Sequence, residues 1–413
     1  MHWFHIDRSS NGKICGVRTK SSDDLLWLAY AVCEYTEKTG DLMYLTQRCN
    51  YLKAPELTEY EDEKYIEAEL SDEDDTIYGH CKRAIKKGTT KGTHGLVNFG
   101  SGDWNDGLNK LNGGETVWGT FFIIIVLERF SSLCKRVKDT DFADICMNKA
   151  NEYRLAIEKY SWADDRYIRG YFPSGNTLGD KSSSECKIDI ISQSFSAICG
   201  GFNNERVRKA LETAEKYLVD KQKGIVKLFT PPFNICKETP GYIIGYIPGI
   251  RENGGQYTHA SIWYALALLR IGEYEKAFEI LDLINPINHS KTLDDIKTYR
   301  TEPYVLSADV YTNEAHHGMG GWSWYTGSAG WFFKVVTEEL LGIILKENSL
   351  IIRPKIPTSW HKFSAEIKKD GTTISLTAIQ PADNSYSGKL FVDNIESDSV
   401  PLNGKDHEVI YYL

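Results

Sequence analysis

The chain has 413 residues, 41% hydrophobic and 25% charged, with a formal net charge of −9 at pH 7. That length is enough for one large and one small globular unit with a sizeable buried core. The Lys and Arg residues are dispersed with no basic stripe, which argues against nucleic acid or an anionic membrane surface as partner.

Few signals point to export, a membrane span or a metal. The apolar run from Phe121 to Leu127 falls far short of the roughly 20 residues that span a bilayer, and no apolar signal region opens the chain, so a cytoplasmic location is expected. Nine cysteines are scattered singly without a Cys-x-x-Cys pair, as small core residues in a reducing compartment would be. Ten histidines show no metal-ligand spacing, so no metal site is expected.

In chain order, helical periodicity predicts helices over 23–39, closed by Gly40, then 117–137, 142–160, 190–199, 204–218, 258–271, 273–283 and 329–341. The acidic stretch 56–75 reads as a solvated loop or exposed helix. Paired helices joined by long Gly- and Trp-rich loops suggest a toroid with a pocket built from loops at one end. From Ser349 the period falls to two, in 350–352, 363–367, 373–377, 389–392 and 409–412, with turn signals at Asp370-Gly371 and Asn403-Gly404. The expected organisation is a helical unit over 1–345 and a small antiparallel β domain over 346–413.

The densest chemistry lies in Gly102-Asp103-Trp104-Asn105-Asp106-Gly107. An indole can stack on a pyranose face while an amide and carboxylates bond hydroxyls, and a carboxyl buried beside an aromatic can keep a proton for general-acid work. Read locally, the same residues also make an Asx-rich turn around a packed tryptophan. Four further motifs accompany it: His2-Trp3-Phe4-His5; Gly16-Val17-Arg18-Thr19-Lys20-Ser21-Ser22-Asp23-Asp24; Glu252-Asn253-Gly254-Gly255-Gln256-Tyr257-Thr258-His259; and Gly321-Trp322-Ser323-Trp324-Tyr325-Thr326-Gly327-Ser328.

In this order the five motifs resemble glycoside hydrolase family 94, which holds inverting cellobiose, cellodextrin and chitobiose phosphorylases and the phosphorylase-like region of cyclic β-1,2-glucan synthases. The resemblance runs to about residue 360. It implies an (α/α)6 barrel, incomplete at its N-terminus because the family carries a β-sandwich, a linker and a first barrel helix before the His-Trp-x-His segment. It also implies an inverting glycoside phosphorylase that cleaves a β-linked gluco-oligosaccharide with inorganic phosphate to give α-sugar 1-phosphate. No organic cofactor is expected, and phosphate is the co-substrate. The alternatives are an inverting hydrolase of the same fold and a catalytically silent sugar-binding fragment, with a separate N-terminal half or a second copy as candidate partner. Glu302-Pro303-Tyr304-Val305 leans toward the β-1,2-glucan branch.

Residue roles follow from the same resemblance. Asp106 takes the place of the catalytic acid, with Asp103 the weaker candidate. Arg18, Asp24, Trp104 and Glu252 match donor-sugar residues, with Asp23 the alternative to Asp24. Gln256 and Tyr257 are expected to contact sugar, as are Trp322 and Trp324. His259, Thr326 and Gly327 match phosphate ligands, a reading that suits small residues and backbone N–H groups at a helix start. Arg129 is a candidate for the arginine that family members also place on phosphate.

Overall fold

The computed structural model describes residues 3–7, 13–324 and 326–413, and of residues 3–7, 13, 326 and 384 the backbone alone. His2 and Tyr325 of the motifs lie outside the described residues. The chain opens on a four-stranded antiparallel sheet rather than on helices. Its strands run in the order Trp3–Asp7, Lys13–Thr19, Glu63–Thr76, Arg48–Lys53. The acidic stretch expected to be a loop or helix is therefore mostly strand, in register with Ile14 opposite Ala68 and Gly16 opposite Ile66. Ile66 and Ala68 are buried while Glu67 and Glu69, which alternate with them, are exposed, so a period of two decides the matter over charge.

Ten α-helices follow among the described residues: α1 (Asp24–Thr39), α2 (Ile77–Gly88), α3 (Val117–Arg136), α4 (Thr140–Tyr160), α5 (Ile190–Cys199), α6 (Asn204–Leu218), α7 (Thr258–Arg270), α8 (Tyr274–Leu283), α9 (Leu293–Tyr299) and α10 (Thr326–Lys334). Side-chain caps fix most starts: Thr76, Thr116, Asp139, Asp189 and Asn203 each accept a backbone N–H of the first turn of α2 to α6. Gly40, at φ 71°, closes α1 through its N–H to the Thr36 carbonyl.

Helices α1, α3, α5, α7 and α10 pack side by side in that order, and α2, α4, α6 and α8 back the first four as hairpin partners. The layer's interior is apolar on every side, as in α7, where residues 260–269 are all buried. Helix α3 is long and apolar enough to cross a membrane by composition, but 78% of its most apolar window is buried inside the protein, as in a core helix.

Beyond Gly342 the chain turns to strand. Ile343–Lys346, Ser349–Ile352 and Val400–Pro401 make a three-stranded sheet. A five-stranded sheet takes Lys362–Lys369, Thr372–Ile379, His407–Tyr412, Leu390–Val392 and Ile395–Ser397 in that order. Leu350, Ile352, Ile374, Leu376, Val400 and Val409 form its own core cluster. The expected all-antiparallel pattern needs one correction, because Thr372–Ile379 runs parallel to His407–Tyr412. The excursion over residues 380–406 between those two strands brings the last strand back alongside the first.

Candidate active site

The 100–107 segment is held between the starts of three helices. Gly100, at φ 63°, bridges to Ser21 just before α1, and a Cβ there would lie 2.0 Å from the Lys20 carbonyl oxygen, so glycine is required. Ser22 N–H donates to Gly102 O at 3.1 Å, and Ser101 N–H to Lys20 O at 3.1 Å. Asp103 has no exposed surface. The Arg169 guanidinium donates to both its oxygens, at 2.7 and 2.6 Å, and the Thr116 hydroxyl and Asn105 N–H donate as well, at 2.6 and 3.0 Å. Arg169 Nε lies 3.3 Å from Asp189, the cap of α5. Burial pushes Asp189 up to about 6 against the opposing pull of Arg169. This carboxylate–guanidinium–carboxylate triad ties the motif to α3 and α5 and leaves Asp103 no proton-transfer role.

Asp106 is set differently. Asn105 Oδ1 accepts the Gly107 N–H at 3.1 Å, starting a short turn that leaves Asp106 half-buried. It faces the segment 242–246: burial raises the Tyr242 and Tyr246 phenols, and the charges of both Asp106 and Glu252 raise them further. Trp104 stands edge-on to Tyr257 at 5.2 Å and to His259 at 5.3 Å, with Trp263 packed on it at 5.0 Å.

His259, in the first turn of α7, is held down to about 3 by burial, so its imidazole is neutral at neutral pH. Its Nε2 is buried without a hydrogen-bond partner among the described residues. The opposite ring edge lies against α10, where a Cβ on Gly327 would be 3.6 Å from Nδ1. Thr326 opens that helix, and its backbone alone is described. A neutral imidazole with a free nitrogen beside a helix N-terminus is a place where an anion gains on both counts.

The third wall carries Glu252. Burial raises its carboxyl, and its Oε2 is buried with no hydrogen-bond partner among the described residues, Arg251 Nε standing 3.5 Å from it. Arg251 itself has φ 52°, with its N–H donating to Asp309 at 3.2 Å. Asp309, pushed up to about 6 by burial, also accepts the Trp322 N–H at 3.4 Å, so one carboxylate fastens the loops 251–252 and 320–322 together.

The remaining expected residues divide. Asp24 heads α1 and accepts the Thr19 hydroxyl at 2.5 Å. The alternative, Asp23, is buried, bonded to the Ser21 hydroxyl and Trp27 indole, and pushed up to about 7 by burial and by the charges of Asp103 and Asp24. Arg18 reaches away to the carbonyls of Ala54 and Pro55 and to Glu56. Gln256 is corrected: it is 1% exposed and its side-chain carbonyl accepts the Val226 N–H at 2.8 Å, which makes it a stitch between loops rather than a sugar contact. Arg129 is corrected too. It sits about 18 Å down α3 at 1.5 Å per residue, paired with Glu34 and Glu37. Sequence reasoning passed over Arg169, Asp189, Arg251, Asp309 and Trp263. The first four carry charge into loops without periodicity, and Trp263 reads simply as core.

Residues 5–342 match the glycosyl hydrolase 94 superfamily, catalytic domain. The chain belongs to that superfamily. It is 39% identical over 376 residues to the cyclic beta-(1,2)-glucan synthase NdvB of Rhizobium meliloti (strain 1021), covering 90% of this chain and 13% of that protein. It is 28% identical to the N,N'-diacetylchitobiose phosphorylase of Vibrio furnissii over 90% of this chain and 44% of the enzyme. The solabiose phosphorylase of Paenibacillus borealis is also 28% identical, over 93% and 48%. The chain thus spans 13% to less than half of the length of these curated relatives. Among solved structures, the GH78 family rhamnosidase of Bacillus sp. GL1 shares the fold, with a TM-score of 0.54 at 14% identity over 96% of this chain and 35% of that one. Several of the relatives are glycoside phosphorylases, named for N,N'-diacetylchitobiose, solabiose and 1,2-beta-oligoglucan, whereas NdvB is a glucan synthase.

Proposed function

We propose that this chain is the catalytic part of an inverting glycoside phosphorylase acting on a β-linked gluco-oligosaccharide. The Asp106 carboxyl protonates the leaving glycosidic oxygen. A phosphate oxygen attacks the anomeric carbon from the opposite face, so the C1–O bond to the leaving sugar breaks as the C1–O–P bond forms, giving α-sugar 1-phosphate and a shortened acceptor. Trp104 stacks the donor ring, and Asp24, Glu252 and Tyr257 bond its hydroxyls. Phosphate rests on His259 and on the Thr326 and Gly327 end of α10, and no metal or organic cofactor takes part. The chain 1–345 then provides four hairpins and α10 of an incomplete (α/α)6 barrel, with 346–413 a β appendage and a separate segment or second copy completing the site.

The observation that carries this reading is the asymmetry of the pocket. Of the motif's two carboxylates, Asp103 is consumed in the fully buried Arg169 triad and Asp106 is half-buried facing the 242–246 segment, while the groups beyond Trp104 are a neutral imidazole and a helix N-terminus, which suit an anion better than a water-activating base. One observation favours an inverting hydrolase instead: Glu252 Oε2 is buried and has no hydrogen-bond partner among the described residues, with only the Arg251 guanidinium 3.5 Å away. The two readings separate on phosphate. In a screen of β-1,2, β-1,3 and β-1,4 glucobioses, cleavage should require phosphate, and Asp106→Asn should lower it at least about 10²-fold with little change in folding. Cleavage at full rate without phosphate would favour Glu252 as base, and near wild-type turnover by Asp106→Asn would remove Asp106 from the mechanism.

A further inference from the structure

Three large aromatic residues stand exposed just outside the pocket: Trp322 at 52%, Trp324 at 68% and Tyr304 at 70%. Isolated exposed apolar side chains need no explanation, but these are grouped and held in place. The Arg251 guanidinium lies 4.2 Å from the Trp322 ring centroid, with the Tyr246 ring 4.7 Å from the same guanidinium, so these three groups form one continuous stack. The Trp322 backbone is fastened by Asp309, the strand partner of Tyr257, which in turn meets Trp104. Trp324 sits at φ 60°, a conformation that costs a bulky residue energy and that survives only where the surroundings impose it. Its indole N–H is spent on Glu302 at 2.9 Å, and Tyr304 packs edge-on at 6.3 Å.

With the Trp324 ring N–H spent on Glu302 and the Trp322 backbone held by Asp309, what the two exposed indoles offer outward is ring face. A flat, pre-oriented apolar face beside charged rim groups suits the C–H face of a pyranose, which stacks without needing a directed hydrogen bond. The stack is continuous with the wall that holds Glu252, so a chain leaving the pocket past Arg251 meets it next.

Resting on the reading of the pocket as a β-glucoside site, we propose that Trp322, Trp324 and Tyr304 form a binding platform for sugar units beyond the reacting disaccharide, which makes this chain selective for oligosaccharides over disaccharides. Disaccharides would then occupy the pocket alone, and each unit laid on the platform would add affinity.

The test is direct binding, by titration calorimetry, of β-1,2-, β-1,3- and β-1,4-linked glucose oligomers of two to five units to the chain and to Trp324→Ala and Trp322→Ala. The expected result is affinity rising about tenfold from dimer to tetramer for one linkage, with that rise abolished in both variants and the dimer affinity kept within about twofold. A length dependence that survives in the Trp322→Ala/Trp324→Ala double variant overturns the platform. So does an equal loss for dimer and tetramer, or a variant that changes only the association state of the chain, which would make the patch a protein interface. Absence of oligomer binding at any linkage also overturns it. If wild type shows the length dependence yet produces no sugar 1-phosphate, the platform stands and the phosphorylase reading falls.

Discussion

Replacing Arg169 by Met should expose how far the site depends on the buried triad. Arg169 is fully buried and serves two carboxylates, Asp103 through two short bonds and Asp189 at 3.3 Å. Removing the cation leaves two buried carboxylates without a counter-charge, a change that costs about 3–5 kcal/mol. A loss of that size lowers the melting temperature of the helical part by on the order of 5 °C. The pH dependence carries the sign. Asp189 already titrates near 6, above its unfolded value of 3.8, so its protonated form favours the folded state and that benefit is lost as pH rises through the folded value. Without Arg169 its pKa moves higher still. The variant's deficit should therefore be smallest at pH 5.5 and larger at pH 8, by about 1.4 kcal/mol for each unit the pKa has risen. Urea unfolding followed by tryptophan fluorescence at the two pH values measures this. A deficit below about 1 kcal/mol at pH 8, or one that is flat with pH, would refute the reasoning.

Three other outcomes are expected. His259→Ala should raise the phosphate KM well above any change in sugar KM, measured in initial-rate kinetics, whereas an equal rise in both would indicate a packing defect. Because burial holds His259 near 3, below its unfolded value of 6.5, its contribution to stability is present above pH 6.5 and lost as pH falls toward 3. His259→Gln should accordingly lose less stability than wild type between pH 6.5 and 4.5 in chemical denaturation, and parallel losses would contradict the burial. Gly100→Ala places a methyl 2.0 Å from the Lys20 carbonyl at φ 63°, so it should cost at least about 2 kcal/mol in unfolding free energy, and a neutral effect would show that the motif loop is not pinned to α1.

Much of the helical framework is legible in the sequence because its inner helices are apolar at every turn. Helices α5 and α6 start and end where periodicity and the caps Asp189 and Asn203 put them. Helix α2 escaped although Ile77, Cys81, Ala84 and Ile85 carry a helical spacing, since its short, Lys-rich face dilutes the signal. The strand Glu63–Thr76 escaped because two buried residues, Ile66 and Ala68, had to outweigh a run of acids. In the site, the motif residues Trp104, Tyr257, His259 and Gly327 come together around one indole. Gln256, an amide beside a motif tyrosine, looks like a ligand in the sequence, whereas in the structure its side-chain oxygen accepts the Val226 N–H. Arg169 and Asp309 carry no local pattern at all, since their role arises only when distant loops meet.

The central claim is that phosphate, and not water, takes the donor sugar. Proton and phosphorus NMR of the purified chain turning over a β-linked glucobiose or gluco-oligosaccharide tests it most directly. The account predicts that α-anomeric sugar 1-phosphate appears from the first turnovers, in step with substrate loss and only when phosphate is present. Free reducing sugar released at the same rate without phosphate, or a β-anomeric 1-phosphate product, would contradict it.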